Sequence, residues 1–393
     1  MKFFRVKIGL FLVLFFLLFL FYHKQNIFRG LLENRFIVKN SLGLTLVEAM
    51  YYSKMDNNCI QCLLCPRKCV LREGQRGFCK ARLNKNGKCY TLVYGRPIIR
   101  CFSVNQRSLV YCSTNYNMLR VGTSSCNLQC KFCFLSDISQ AKPEELAGPE
   151  FLYSPEKPLS PQDIITVAKK SNCRIIAYTF NEPTIFYEYM LAIAKLAKKE
   201  NLYNVLSTNG YINEEPLREL LKYMDGVSLG LKGFREDVYQ RFCSAELEPV
   251  MKTMRILRDS KIGFEITYPI IPTVNDGLEE IKHLCTWIKE NLGKDIPLHF
   301  IRYLPSYKLA NLPPTSLEAL EGAEKIARSE GLNCVYKYYL NEIPSPDLEE
   351  KIYCPNCKKL ILYRKGGRGI LVNSTMHGKC KFCGNKILFI TLD

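Results

Sequence analysis

Histidine is nearly absent from this chain of 393 residues: four occur, His23, His283, His299 and His377, and no two are spaced like a metal-binding pair. Metal chemistry built mainly on imidazole is thereby excluded, so any metal is held by sulfur, which selects zinc or the iron of iron–sulfur centres. Acidic residues are also in deficit, 37 Asp and Glu against 55 Lys and Arg, for a formal charge of +18. That excess points to a contact with phosphate, on membrane head groups or nucleic acid, and says nothing about fold. The basic residues are spread along the chain instead of clustering with aromatics, which argues against a nucleic-acid partner.

Cysteine is what the chain has in quantity, with nineteen copies, over half of them in tight groups with two or three residues between neighbours. Such spacing is hard to bridge with unstrained disulfides and suits metal thiolates. Free thiolate groups imply a reducing compartment.

The N-terminus stands apart. MKFFRVK leads into an uninterrupted apolar run from Ile8 to Tyr22, and with Phe3, Phe4 and Val6 counted and Arg5 and Lys7 snorkelling outward it nears the roughly 20 residues a helix needs to cross a bilayer. No small-x-small cleavage site follows, so a retained transmembrane anchor over residues 1–24 is expected in preference to a cleaved signal peptide. Basic residues flank both ends almost equally, so the thiolate clusters decide orientation: a single-pass protein of the cell membrane with its catalytic region in the cytoplasm. A juxtamembrane helical segment is expected over 25–58, then a Cys-rich module over 59–117.

From Met118 to about residue 340, short apolar runs alternate with amphipathic ones. LRVGT, RIIAY, YNVLS, GVSLGL, GFEITY and LHFIR read as buried strands, while Phe186, Met190, Ile193 and Ala197, and Leu278, Ile281, Leu284 and Ile288, recur at helical spacing. Strand–helix alternation predicts an α/β fold with a parallel sheet. Six units are too few for a full barrel, so an open partial (β/α)6 barrel is expected, with its chemistry in the loops after the strands.

The stretch CNLQCKFC falls in the loop after the first of these strands. Cys126, Cys130 and Cys133 are one thiolate short of a closed zinc site or a fully protein-ligated cubane. The spacing fits a [4Fe–4S] cluster whose fourth iron is open to an outside ligand; a zinc knuckle completed from elsewhere and an electron-transfer cluster are the plainer alternatives. Before the strand repeat, Cys59, Cys62, Cys65 and Cys69 have the spacing of a ferredoxin run without its following proline, and Cys79 and Cys89 come after. At the C-terminus, over 341–393, Cys354, Cys357, Cys380 and Cys383 form a C-x2-C-x22-C-x2-C ribbon signal suited to zinc or a mononuclear, rubredoxin-like iron.

C-x3-C-x-aromatic-C is the signature of radical S-adenosylmethionine enzymes. From Leu46 to Gly384 the chain resembles the AmmeMemoRadiSam type, relatives of pyruvate formate-lyase activating enzymes, through LVEAMYYSK, CLLCPRKC, EGQRGFC, CNLQCKFC, AYTFNEPT, STNGY, LKGF, IIPTVND, PLHFIRYLPSYKL and the terminal cysteine pairs. The resemblance implies that Cys126, Cys130 and Cys133 hold the cluster, whose open iron chelates S-adenosylmethionine, and that one electron splits this cofactor to methionine and a 5′-deoxyadenosyl radical. It implies that Phe132 lies near the adenine, that Asn181 and Glu182 grip the methionine ammonium, and that Ser207, Thr208 and Asn209 contact ribose or carboxylate. Each has a plainer reading: Glu182 could cap the helix starting at Pro183, and Asn209-Gly210 could be only a turn. Lys232, His299 and Arg302, with Tyr307, are the candidates on the substrate side, although His299 could be a barrel-interior histidine and Lys232 a solvated charge. The resemblance places an auxiliary metal, iron–sulfur or zinc, on Cys62, Cys65, Cys69 and Cys79.

The chain departs from the family where Phe134-Leu135 replace the common Gln-Asn, where Gly230 replaces an acid two places before Lys232, and where Ser103 to Leu109 replace an acidic-basic stretch. These changes weaken the transfer of substrate identity. A hydrogen-abstracting enzyme is expected, served by a reductant such as ferredoxin or flavodoxin and acting on a membrane lipid or a partner protein. The competing classes are a non-catalytic iron–sulfur electron carrier and a basic zinc-ribbon nucleic-acid-binding protein.

Overall fold

The computed structural model describes residues 46–103, 117–145, 158–339, 349–365, 368–371 and 379–385. Its centre is an eight-stranded sheet whose strands follow one another in chain order: Ile98–Ser103, Asn117–Gly122, Cys173–Tyr178, Tyr203–Thr208, Gly226–Gly230, Gly263–Ile270, Leu298–Arg302 and Val335–Tyr339. The first two are antiparallel and the remainder parallel. The chain therefore has an α/β core with a partial-barrel sheet. All six expected strands are present. Two were not expected, the antiparallel Ile98–Ser103 and the last parallel strand Val335–Tyr339; both are edge strands, with one neighbour each.

Helices cover one face of the sheet, and local chemistry explains where they begin. Pro161–Lys170 starts at Ser160, whose hydroxyl accepts from Asp163 N while the Asp163 carboxylate accepts from Ser160 N, a capping box followed by proline at the first helical position. Leu278–Asn291 buries Ile281, Leu284 and Ile288, a contribution of roughly 5–9 kcal/mol at the usual value per apolar side chain. Leu278, expected on the same stripe, is instead exposed at the helix start. The opposite face of the sheet is polar: Ser228 and Glu265 stand in register there, with His299 beside Thr267, and all three of Ser228, Glu265 and His299 are buried.

The N-terminal module is two three-stranded antiparallel sheets, one of Val47–Glu48, Lys88–Thr91 and Arg82–Lys85, the other of Tyr52–Lys54, Ile60–Cys62 and Val70–Leu71. The described part of the segment expected to be helical, residues 46–58, thus carries short strands. Arg82 and Glu188 join this module to the barrel through a buried ion pair of 2.8 Å, and Glu188 also accepts from Met50 N at 2.7 Å.

The single-pass membrane placement requires correction. Among the described residues no helix is long and apolar enough to cross a membrane, and the apolar run within 1–24 from which the anchor was read lies outside those residues.

In the C-terminal ribbon, two Cys-x-x-Cys turns face each other. Lys358 N donates to Cys354 O and Gly384 N to Cys380 O, each at the residue following the second cysteine and each with positive φ. The sulfurs of Cys354 and Cys383 stand 3.7 Å apart and those of Cys357 and Cys380 3.6 Å apart. Four sulfurs roughly 2.3 Å from one tetrahedral ion would be roughly 3.8 Å from each other. The group therefore fits a single zinc or iron ion.

Candidate active site

The loop carrying Cys126, Cys130 and Cys133 leaves the end of the strand Asn117–Gly122, where two backbones meet closely. A Cβ on Gly122 would lie 2.3 Å from Thr179 O, so only glycine allows the strand Cys173–Tyr178 and its following residues to pass. Two non-glycine residues beside this crossing, Ser125 and Phe180, have φ of 74° and 70°, a strain that the surrounding bonds must maintain. Asn181 supplies several of them. Its amide donates to Thr123 Oγ1, Ser124 O and Ser125 O, and its carbonyl accepts from Thr123 N.

Beyond Cys126 the loop is held by backbone bonds from three sides. Gln129 N and Lys131 N donate to Cys243 O and Phe242 O at 2.9 and 2.8 Å, at the end of the π-helical turn Tyr239–Cys243, and Lys308 N donates to Lys131 O at 2.9 Å. Asn127 donates to Tyr211 O at 2.7 Å. Asn127, Gln129 and Lys131 are thus held by three later segments, around residues 211, 242–243 and 308, as a precise ligand set requires.

Burial pushes the thiols of Cys126 and Cys133 above the ordinary range, and the neighbouring Cys243 thiol, then burial, does so for Cys130. Buried thiols of this kind ionise when a metal ion supplies the compensating charge. Sequence spacing did not reveal Cys243 as their neighbour. It also did not reveal Ser139, whose hydroxyl is 3.1 Å from Cys133 Sγ.

Glu182 is 1% exposed and organises two loops at once. One carboxylate oxygen accepts from Thr184 N, Thr184 Oγ1 and Thr208 Oγ1 at 3.0, 2.7 and 2.7 Å, and the other from Asn209 N at 2.7 Å. Burial raises its pKa, and these donors oppose the rise. Glu182 is thus the cap of the turn Pro183–Phe186 and a tether for the Thr208-Asn209 turn. Asn209 extends the chain of contacts: its amide lies 3.8 Å from Cys126 Sγ and 2.9 Å from Asn127 Oδ1. Gly210, at φ 73°, completes the turn where a Cβ would meet Leu229 at 3.0 Å.

The other candidates fall into two groups. Phe132 is buried beside the cysteines. Lys232 folds back so that its Nζ is 2.7 Å from where a Cβ of Gly230 would stand, and its charge is felt at Cys130 and Cys133. The departure at Gly230 thereby acquires a reason: the ammonium fills the room a side chain would take. Ser207 lies one residue before this tether, in register with Ser228. Farther along the sheet, His299 is 5% exposed, 3.3 Å from Glu265 and stacked on Tyr336. Arg302 donates to Thr315 O in the next loop, and Tyr307 is exposed.

Comparison with known proteins agrees with this geometry. The Radical SAM superfamily profile matches residues 121–288, from the first parallel strand through most of the helix Leu278–Asn291. An uncharacterized protein of Methanocaldococcus jannaschii is 36% identical over 86% of this chain and 98% of its own length. A second protein of that organism, provisionally named as a glycyl-radical enzyme activating enzyme, is 26% identical over 52% of this chain and 74% of its own. The pyruvate formate-lyase-activating enzyme of Clostridium pasteurianum is 25% identical over 61% of this chain and 87% of its own.

Proposed function

The chain belongs to the radical S-adenosylmethionine superfamily and is an enzyme of that family, and on that premise we propose that Cys126, Cys130 and Cys133 hold its [4Fe–4S] cluster and that its target is a residue of a partner protein. With the cluster bound, such a site would take up S-adenosylmethionine and supply its reductive cleavage to a hydrogen-abstracting radical. The observation that carries the reading is the convergence of three separated motifs on one thiol: Glu182 of TFNEPT holds Asn209 of STNGY, which reaches Cys126 of CNLQCKFC.

The chain's own residues then divide the work. Asn181 fixes the entry to the cysteine loop, Glu182 through Asn209 holds its first residues, Cys126 and Asn127, and Ser207, Thr208 and Phe132 line the side from which the cofactor approaches. Lys232 presents a positive charge to the thiolates, stabilising them and favouring the cofactor carboxylate. His299 and Glu265 line the sheet beyond, where the substrate would lie, while Arg302, in register with Ile270, stands on the alternate face and bonds Thr315 O. The electron comes from a low-potential donor such as ferredoxin or flavodoxin. A protein target is supported by the names of relatives, which activate pyruvate formate-lyase, a sulfopropanediol dehydratase and a hydroxyphenylacetate decarboxylase.

Anaerobically reconstituted protein with dithionite should convert S-adenosylmethionine to methionine and 5′-deoxyadenosine, and Cys126→Ala should abolish this. Fractionated extract should stimulate turnover through its macromolecular and not its small-molecule fraction. Cys243 offers the sharpest challenge, being in hydrogen-bond reach of Cys130. A reduced cluster whose EPR spectrum ignores S-adenosylmethionine in the wild type and responds only in Cys243→Ala would mean that this thiol has taken the fourth iron, and would overturn the proposal.

A further inference from the structure

The loop after the strand Leu298–Arg302 carries LPSYKL, a stretch that the site described so far leaves unused. Tyr307, read from the sequence as a substrate-side candidate, does not join the buried residues Ser228, Glu265 and His299; it is 40% exposed. Its φ is 51°, a conformation that a bulky side chain keeps only under constraint. Hydrogen bonds on both sides supply that constraint. Ser306 N donates to Tyr303 Oη at 3.0 Å, Leu309 N to Ser306 O at 3.1 Å, and Lys308 N to Lys131 O at 2.9 Å. The fold thus holds Tyr307 and Lys308 against the cysteine loop and leaves both exposed.

A third segment meets them there. Lys131, between Cys130 and Cys133, donates through its N–H to Phe242 O at 2.8 Å, and its Nζ stands 5.5 Å from the centre of the Phe242 ring. Arg241 approaches the same ring at 5.4 Å, and Lys308 Nζ lies 5.4 Å from the Tyr307 ring. Lys131, Arg241 and Lys308 are all exposed. Among the described residues Lys131 and Lys308 form no ion pair, and the acid paired with Arg241, Asp237 at 3.9 Å, is held more closely by Arg235 at 2.9 Å. Arg67 ties the cysteine loop to the Tyr239–Cys243 turn a second time: its Nε donates to Asn127 O at 2.7 Å and another guanidinium nitrogen to Ser244 O. The result is a firmly braced surface on which Lys131, Arg241 and Lys308 surround the rings of Phe242 and Tyr307.

Its position selects the partner. Lys131 follows Cys130 directly, and Phe242 precedes Cys243, whose thiol is in hydrogen-bond reach of Cys130. A protein seated on these residues comes beside the radical-site cysteines without entering the barrel. An electron donor needs only such a surface contact, whereas a target must bring the atom under attack inside, past the cofactor. Small, weak interfaces are the kind that electron-transfer proteins use, and opposite charge speeds their encounter.

We propose that Lys131, Arg241, Phe242, Tyr307 and Lys308 form the docking surface for a low-potential iron–sulfur or flavin protein that presents carboxylates, and that this protein delivers its electron beside Cys130. The donor is oxidised by one electron, and the cluster held by Cys126, Cys130 and Cys133 is reduced by one. The destination of that electron rests on the functional reading above; the docking does not.

In the test, the full-length chain loaded anaerobically with its cluster is mixed with reduced flavodoxin, and cluster reduction is followed by rapid-scan absorbance. The wild-type second-order rate should fall steeply as salt is raised. In Arg241→Glu/Lys308→Glu it should be about tenfold lower at low salt and nearly independent of salt. Reduction by photoreduced deazariboflavin, which is small and uncharged, should proceed equally in both. Carbodiimide should join flavodoxin carboxylates to Lys131 or Lys308 of the wild type, with or without its cluster. A wild-type rate indifferent to salt, or crosslinks confined to other lysines, would overturn the proposal even if the variant does not fold. So would a variant slowed just as much with deazariboflavin, which would mean a disturbed cysteine loop. A variant reduced by flavodoxin at the wild-type rate would also overturn it, and if that variant lost only the stimulation by the macromolecular fraction of extract, the surface would be the seat of the target instead. Failure of the functional reading would look different: crosslinks at Lys131 or Lys308 and charge-sensitive reduction, with no cleavage of S-adenosylmethionine.

Discussion

Glu182 can be tested as an organiser of the site separately from any contact with cofactor. In Glu182→Ala the hydroxyls of Thr184 and Thr208 can turn to other acceptors, but the backbone N–H groups of Thr184 and Asn209, both bonded to this carboxylate, cannot. A buried N–H stripped of its acceptor costs about 1–3 kcal/mol, so the two together cost about 2–6 kcal/mol. Part of this is offset, because burial already raises the pKa of the carboxyl and removing it relieves that desolvation. A net loss of about 2–4 kcal/mol remains, which for a domain of this size lowers the melting temperature by about 5–10 °C. Glu182→Gln keeps an oxygen for the three donors on one side and sets its amide against Asn209 N–H on the other, so it should fall between wild type and Ala. Thermal unfolding of the anaerobically loaded protein, read by circular dichroism beside the EPR spectrum, measures both stability and the Asn209–Cys126 contact. If Glu182→Ala melts with wild type while its KM for S-adenosylmethionine rises, the tether is unimportant and the carboxylate acts on the cofactor directly.

Replacing Glu188 by Gln leaves the guanidinium of Arg82 buried without its counter-charge, and should cost about 3–5 kcal/mol in urea unfolding; a paired Arg82→Met/Glu188→Leu change should cost less, and equal losses would refute the ion-pair account. Gly122→Ala drives a methyl into Thr179 O and should destabilise by about 1–3 kcal/mol or more, which a wild-type urea midpoint would contradict. Cys357→Ser should remove one bound metal ion from the ribbon, by metal analysis, while leaving the iron–sulfur EPR spectrum unchanged; retention of that ion would sink the single-ion reading. Burial holds the hydroxyls of Tyr178, Tyr239 and Tyr268 well above their ordinary pKa of 10.0. The folded values exceed the unfolded ones, so their contribution is intact below pH 10 and is lost as pH rises beyond it, at about 1.4 kcal/mol per pH unit for each tyrosine. Tyr268→Phe should shallow this alkaline slope by one such increment, and an identical slope would refute it.

The fold was legible wherever burial on both faces wrote itself into composition. The strands Cys173–Tyr178 and Tyr203–Thr208 are apolar runs bounded by helical periodicity, and both were readable from that alone. Ile98–Ser103 escaped because it precedes the strand–helix repeat and pairs antiparallel at an edge, so no helical period frames it. The short strands within 46–58 escaped for a different reason: two or three residues each cannot establish a period, and their pairing partners lie later in the chain.

The site divides along the same line. Motif spacing singled out Cys126, Cys130 and Cys133, which one loop carries, and the ribbon cysteines, whose two turns face each other. It could not locate Arg67, Asn127 or Cys243, whose roles come from segments more than a hundred residues apart in the cases of Cys243 with Gln129 and Arg67 with Ser244. Asn127 and Tyr211 sit inside quoted motifs, so a reader asking which motif residues must bond each other could have found them. Arg67 has no such signal, since a surface arginine and a strut between two cysteine groups look alike until the docking partner is known. Local spacing therefore singles out the cysteine groups, while the carbonyl oxygens of Asn127 and Ser244, both bonded by Arg67, show which of those groups the fold holds side by side.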